Sequence, residues 1–278
     1  MVPVALVKGP RTLETVYKAI ELAGGLKDLA KGSGNRAVIK VNFISTKTYD
    51  TGVTTDPLLV EALINKAREV FTEVFVVESD ANMTNADEAC RATGMQKVCD
   101  EAGVRFINLG REKDKVKLRV PDAEVLNEIN VPHLVTDGVR ISAAKLKTHD
   151  EVGVTLGMKN MFGLLPEKFK FRYHLKNISK VVVDINKVLP PHFTVIDGFY
   201  ALEGPGPTSG TPVKMDLVIA GRDPVAVDAT ACRVMEIDPM EIYHIRRAHE
   251  NGLGEIEEAK IEIIGSNIED VKRRFRRD

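Results

Sequence analysis

The chain has 278 residues, 44% of them hydrophobic and 28% charged, with a net charge of −1. That length supports one large α/β domain or two smaller ones, and the composition is ordinary for a globular protein. The balanced charge excludes a global attraction to nucleic acid or anionic lipid, so any anion site must be a local gathering of cations.

Strands and helices are predicted to alternate. Residues 2–7 read as a first strand. Residues 12–23 carry helical spacing at Leu13, Val16, Tyr17, Ile20 and Leu22 and stop at Gly24-Gly25. Residues 37–42 form a short apolar strand. Residues 56–70 open with Asp56 as a cap and Pro57 at the first helical position, then run apolar at Leu59, Val60, Leu63, Ile64 and Ala67. Residues 73–78 are a strand, 86–102 a helix interrupted near Gly94, and 104–109 a strand. This rhythm predicts an α/β fold with a mostly parallel central sheet covered by helices on both faces. The middle differs. Residues 115–125 alternate like an edge hairpin, and 130–136 and 139–144 read as buried strands, together a β-rich insertion. Further on, 175–188 is helical, 193–197 and 216–220 are strands, 224–235 and 239–250 are helices, 262–265 is a strand and 268–275 a last helix. One domain over residues 1–278 is the first expectation, and two lobes meeting near 140–175 the second.

Cys90, Cys99 and Cys232 form no C-x-x-C pair, and the first two match neither zinc nor iron–sulfur spacing. They read as buried thiols in a reducing compartment. The first residues lack the basic region of a signal peptide, and no apolar run approaches a membrane span. The expectation is a cytoplasmic protein with no membrane partner. The basic run at 272–277 reads as a solvated, frayed helix end rather than a nucleic-acid arm, since no aromatic-rich basic face accompanies it.

The stretch 142–174 is the most informative. It sets Lys145, Lys147, Lys159, His149, His174, Asn160, Thr148 and Thr155 among glycines. Lys145 and Lys147 alternate, so they share a face if the strand from Val139 continues. Thr155, Lys159 and Asn160 have the spacing of helix neighbours, and Gly153 and Gly157 permit close backbone approach to a ligand. Such donors grip phosphate or carboxylate oxygens. A desolvated lysine crowded by others, Lys147 above all, can act as a base or Schiff-base nucleophile. The plainer reading has exposed lysines paired with Asp150, Glu151 and Glu167. His149 and His174 are the acid–base or metal-ligand candidates, although a lone histidine is more often structural.

Open α/β sheets bind ligands at the carboxyl ends of their strands, and three further clusters fall there. Lys40 and Asn42 precede a turn carrying Thr54 and Thr55. A cation in an apolar strand needs a partner, whereas the threonines also serve as helix caps. Glu78-Ser79-Asp80-Ala81-Asn82 suits a metal or diol, and equally a turn. Asp197 and Glu203 are the candidates for a divalent metal or a general base, against a tight connecting loop. Asp223 and Asp228 are expected to cap the helix that follows them.

These residues lie in stretches that resemble the DUF362 family: VIKVNF (38–43), TTDP (54–57), KLKTHDEVGVTLGMKNMFGLLP (145–166), Tyr173-His174, VIDGFYALEGPGPTSG (195–210) and GRDPVAVDAT (221–230). The resemblance covers nearly the whole chain in order. It implies an uncharacterised prokaryotic group with a shared site at Lys40, Asn42, Lys147, His149, Lys159, Asn160, His174, Asp197 and Glu203, and it assigns no reaction. Some relatives carry a ferredoxin-like domain; this chain lacks its cysteine motifs, so no iron–sulfur cluster is expected.

Two functions compete. The first is an enzyme on a small phosphorylated or carboxylated substrate, with lysines holding the anion, His149 or His174 moving a proton beside Asp197 or Glu203, and a divalent metal optional. The second is a non-catalytic binder or carrier of a metal, nucleotide or redox cofactor. An enzyme places a histidine within hydrogen-bond reach of a carboxylate in the cleft that holds the lysines. The sequence sets neither reaction nor oligomeric state.

Overall fold

Residues 1–31 and 34–278 are described by a computed structural model, and one mixed sheet organises them. Its strands are β1 (Val2–Lys8), β2 (Arg36–Lys40), β3 (Glu73–Glu78) and β4 (Arg105–Asn108), then, beyond a separate hairpin of β5 (Lys115–Arg119) and β6 (Glu128–Pro132), β7 (Val139–His149), β8 (Gly153–Thr155), β9 (Phe193–Glu203), β10 (Thr211–Gly221) and β11 (Ile261–Gly265). The order is β11-β1-β10-β9-β7-β2-β3-β4, with β8 folded back on β7. Pairing is parallel from β9 through β7, β2 and β3 to β4 and between β11 and β1; it is antiparallel along β1-β10-β9 and between β7 and β8.

Alternation along β1 shows why both faces must be covered. Val4 and Leu6 enter one apolar cluster, Ala5 and Val7 the other. Helices α1 (Leu13–Leu22), α2 (Pro57–Arg68), α3 (Ala86–Ala92) and α4 (Met95–Glu101) supply the second cluster. The first receives the short α5 (Gly157–Asn160) and α6 (Phe171–His174), then α7 (Ile178–Val188), α8 (Pro224–Val234) and α9 (Tyr243–Glu250), with α10 (Ile268–Val271) closing the set. Local signals set the ends. The Thr12 hydroxyl and the Asp56 carboxylate cap α1 and α2, and Gly94, at φ +84°, separates α3 from α4. Among the described residues no helix is long and apolar enough to cross a membrane.

Several boundaries differ from expectation. Strands β7, β9 and β10 run eleven residues each, well beyond 139–144, 193–197 and 216–220. Polar residues marked the expected ends of β7 and β9. In the fold Lys145 and Asp197 are fully buried and paired at 2.8 Å, so their polarity does not stop the strands. The 115–125 hairpin pairs instead with 128–132, apart from the main sheet. The helix expected over 175–188 begins at Ile178, where Asn177 caps it, and that over 239–250 begins at Tyr243. The last helix ends at Val271. The tail beyond it is neither helical nor frayed: Phe275 is buried, and the Arg273 and Phe275 N–H groups donate to the carbonyls of Val234 and Met235.

Candidate functional site

The chain leaves β2 through β3 and β4 on one side, then returns as β7 on the other. Strand ends diverge at such a reversal and leave a crevice. Here it is a cleft of about 430 Å³, with Lys40, Lys147, Lys159 and Lys170 among its lining residues.

Its floor is a closed hydrogen-bond network. Lys40 Nζ lies 2.8 Å from Glu78 Oε2 and also donates to the Val41 carbonyl and Asn160 Oδ1. The Glu78 carboxylate accepts the N–H groups of Phe43 and Ser79 as well. Asn160 donates to the Lys40 carbonyl and Ser142 Oγ and accepts from Asn42 Nδ2. Burial lowers the Lys40 pKa against the opposing pull of Glu78. A Cβ on Gly163 would strike both Lys40 and Glu78, so the bare backbone there is what lets the chain cross the ion pair.

Among the described residues, the other three lysines pair with no such carboxylate. Lys147 Nζ is buried and donates to Asn42 Oδ1 and the Val53 carbonyl, both at 2.8 Å. Burial, with the ammonium groups of Lys159 and Lys145 nearby, holds it well below the ordinary lysine range. Lys170 Nζ donates to Ser79 Oγ at 2.6 Å, and Lys159 Nζ lies 4.8 Å from the centre of the Phe162 ring. Burial pulls each of these two down to about 8. Thr155 Oγ1 lines the same cleft, buried and without a hydrogen-bond partner among the described residues.

Both candidate histidines reach the cleft, and Glu151 joins them. The Glu151 N–H donates to His149 Nδ1, and its carboxylate lies 2.6 Å from His174 Nδ1. Burial, reinforced by Lys159 and Lys147, drives the His149 pKa down to about 2. His149 is therefore a neutral imidazole, with Asp150 Oδ1 also 3.1 Å from its Nδ1.

Other candidate residues lie elsewhere. Lys145 turns away to Asp197, whose carboxylate also accepts the N–H groups of Asp56 and Phe199. Thr55 bridges the Asn42 N–H and the Ala143 carbonyl behind the cleft wall. Glu203 is held by the Arg276 side chain and N–H. Asp197 and Glu203 thus sit in separate, saturated hydrogen-bond sets and do not offer a shared pair of free metal ligands. Gly157 packs against Thr194 and Asp228, and Gly153 turns the β7–β8 hairpin at φ +82°; neither makes the close approach expected to a ligand. The sequence reading missed Lys170 altogether and cast Glu151 only as a surface partner for the lysines. Lys170 sits between Phe169 and Phe171, and that cation–aromatic alternation was the available signal.

Comparison with known proteins agrees with the motif pattern. Residues 37–233 match a family described as a domain of unknown function, DUF362. A thylakoid-associated protein of Synechocystis sp. is 25% identical over 239 residues, covering 83% of this chain and 72% of that protein.

Proposed function

This chain belongs to the DUF362 family, and we propose that it is a cytoplasmic enzyme acting on a small phosphorylated or carboxylated substrate. One observation carries the reading: Lys147, Lys159 and Lys170 converge on one cleft, and among the described residues no carboxylate pairs with any of them. Buried ammonium groups without a counter-charge, such as Lys170, are costly, and an anion bound between them and the half-buried Lys159 supplies the missing charge. The free Thr155 hydroxyl is a neutral donor for the same oxygens. His174, oriented by Glu151, is the group placed to move a proton, and this pair supports an enzyme over a passive carrier. Burial and the ammonium groups nearby disfavour the charge on Lys147 in the empty cleft; a bound anion restores it, so that Lys147 serves as a charged donor. The buried free thiols suit a reducing compartment.

Titration calorimetry with inorganic phosphate tests the site. Wild-type protein is expected to bind phosphate, and Lys147→Met and Lys159→Met each to weaken it by about tenfold, the scale of one charged hydrogen bond. Circular dichroism separates this from loss of fold. Equal phosphate binding by wild type and both variants would sink the proposal.

A further inference from the structure

Six large hydrophobic side chains are exposed among the described residues, and four of them cluster at one place. Phe169 is 75% exposed, Phe171 63%, Leu175 76% and Met83 96%. Met83 lines the cleft with Lys170 and His174. Asn82 Oδ1 accepts the Lys170 N–H, tying the Met83 loop to the phenylalanines, and the Phe171 ring stacks on His174 with centroids 6.5 Å apart. Single exposed apolar residues need no explanation; four around one rim do.

The surrounding charge says what covers them. Residues 167–180 carry Lys168, Lys170, Arg172, Lys176 and Lys180 against Glu167 within the segment; of the exposed carboxylates on the same rim, Glu151 is taken by His174 and Asp150 lies beside His149. Arg172 is engaged by Glu167 at 2.5 Å, which leaves Lys168 and Lys176 exposed beside the apolar side chains. A second copy of the same surface would set these cations against each other. Protruding aromatic and aliphatic tips among lysines match the interface of an anionic bilayer.

We propose that this rim docks the protein on an anionic lipid surface, with Phe169, Phe171, Leu175 and Met83 entering the headgroup layer and Lys168 and Lys176 meeting lipid phosphates. The cleft then opens toward the bilayer. The expectation of no membrane partner rested on whole-chain charge and on the length of apolar runs, neither of which registers a local patch. This docking does not depend on the nature of the cleft's substrate.

Cosedimentation with phosphatidylcholine vesicles, with and without phosphatidylglycerol, tests it. The protein is expected to pellet with the phosphatidylglycerol vesicles alone, less so as salt rises. The double variants Phe169→Ser with Phe171→Ser, and Lys168→Gln with Lys176→Gln, are each expected to lose about tenfold in partition, since each surface lysine supplies a modest attraction. Both pairs are exposed, so thermal stability stays unchanged, and the lysine pair keeps its phosphate binding. Lys147→Met, which disables the cleft, still pellets. No pelleting of the wild type, or equal pelleting of the rim variants, overturns the proposal. So does loss in Lys147→Met, which assigns binding to the cleft. A wild-type dimer in light scattering that the phenylalanine variant dissociates also overturns it, because the rim is then covered by a second copy.

Discussion

Lys159 and Lys170 titrate close to working pH, and that gives the cleft a pH signature. Each is held at about 8 by burial, against an ordinary 10.5. Below that value both are charged and can hold an anion; above it they lose their protons and the anion loses its partners. Stability without ligand runs the other way. The folded value is depressed, so between about 8 and 10.5 the unfolded chain binds more protons, and stability rises with pH across that window. Thermal melts with and without phosphate across this range are expected to show a phosphate-dependent gain near neutrality that fades through the window. A gain that stays constant with pH would mean that these amines do not contact the anion. Much of the cleft was legible residue by residue. Lys40, Asn42, Lys147, His149, Thr155, Lys159, Asn160 and His174 all reach it, because donors set among glycines at strand ends are hard to explain by packing alone. Lys145 was not separable from Lys147 by spacing. Only the fold shows that Asp197 lies beside one of them, at Cα register with Lys145.

At the scale of elements, the donor-rich stretch works because it doubles back. Strand β7 turns through β8, pairing Lys147 with Thr155 and His149 with Gly153, and delivers α5 beneath the cleft. Four residues cannot sustain a helix unaided. The Asp228 carboxylate, from the middle of α8, accepts the N–H groups of Gly157 and Met158 at 2.7 and 2.9 Å and holds the start of α5. Among the described residues no cation pairs with it, and burial raises its pKa to about 7. Asp223 caps its own helix as its place before Pro224 implies, whereas Asp228 caps one some seventy residues upstream, which no local pattern reveals. Asp228→Ala is expected to cost about 1–3 kcal/mol in a urea melt, the scale of orphaning buried N–H groups. Since Lys159 and Asn160 ride on α5, phosphate affinity is expected to fall with it. A variant that lost stability and kept full affinity would show that Asn160 and its partners fix the segment without the cap.

For the molecule as a whole, the α/β class was legible because each strand–helix unit carries its own periodicity, while the order of strands was not, because pairing such as β1 with β10 joins residues more than two hundred apart. The tail shows the same limit. A run of cations with one aromatic reads as a solvated end until the partners are known. In the fold, Arg276 occupies Glu203, Arg277 pairs with Glu241 at 3.0 Å, and Phe275 fills an apolar site beside α8. Those two arginines are engaged within the chain. Deleting residues 272–278 uncovers the Phe275 site and strands Glu203, only 4% exposed, without its guanidinium. The expected cost is about 2–4 kcal/mol, combining a lost buried aromatic with an unpaired carboxylate that can partly rehydrate. Chemical denaturation of the truncated and full chains measures it, and Phe275→Ala alone is expected to account for the larger share. An unchanged midpoint would restore the solvated, frayed end, and salt-dependent retention of the full chain on DNA would then test it against a nucleic-acid arm.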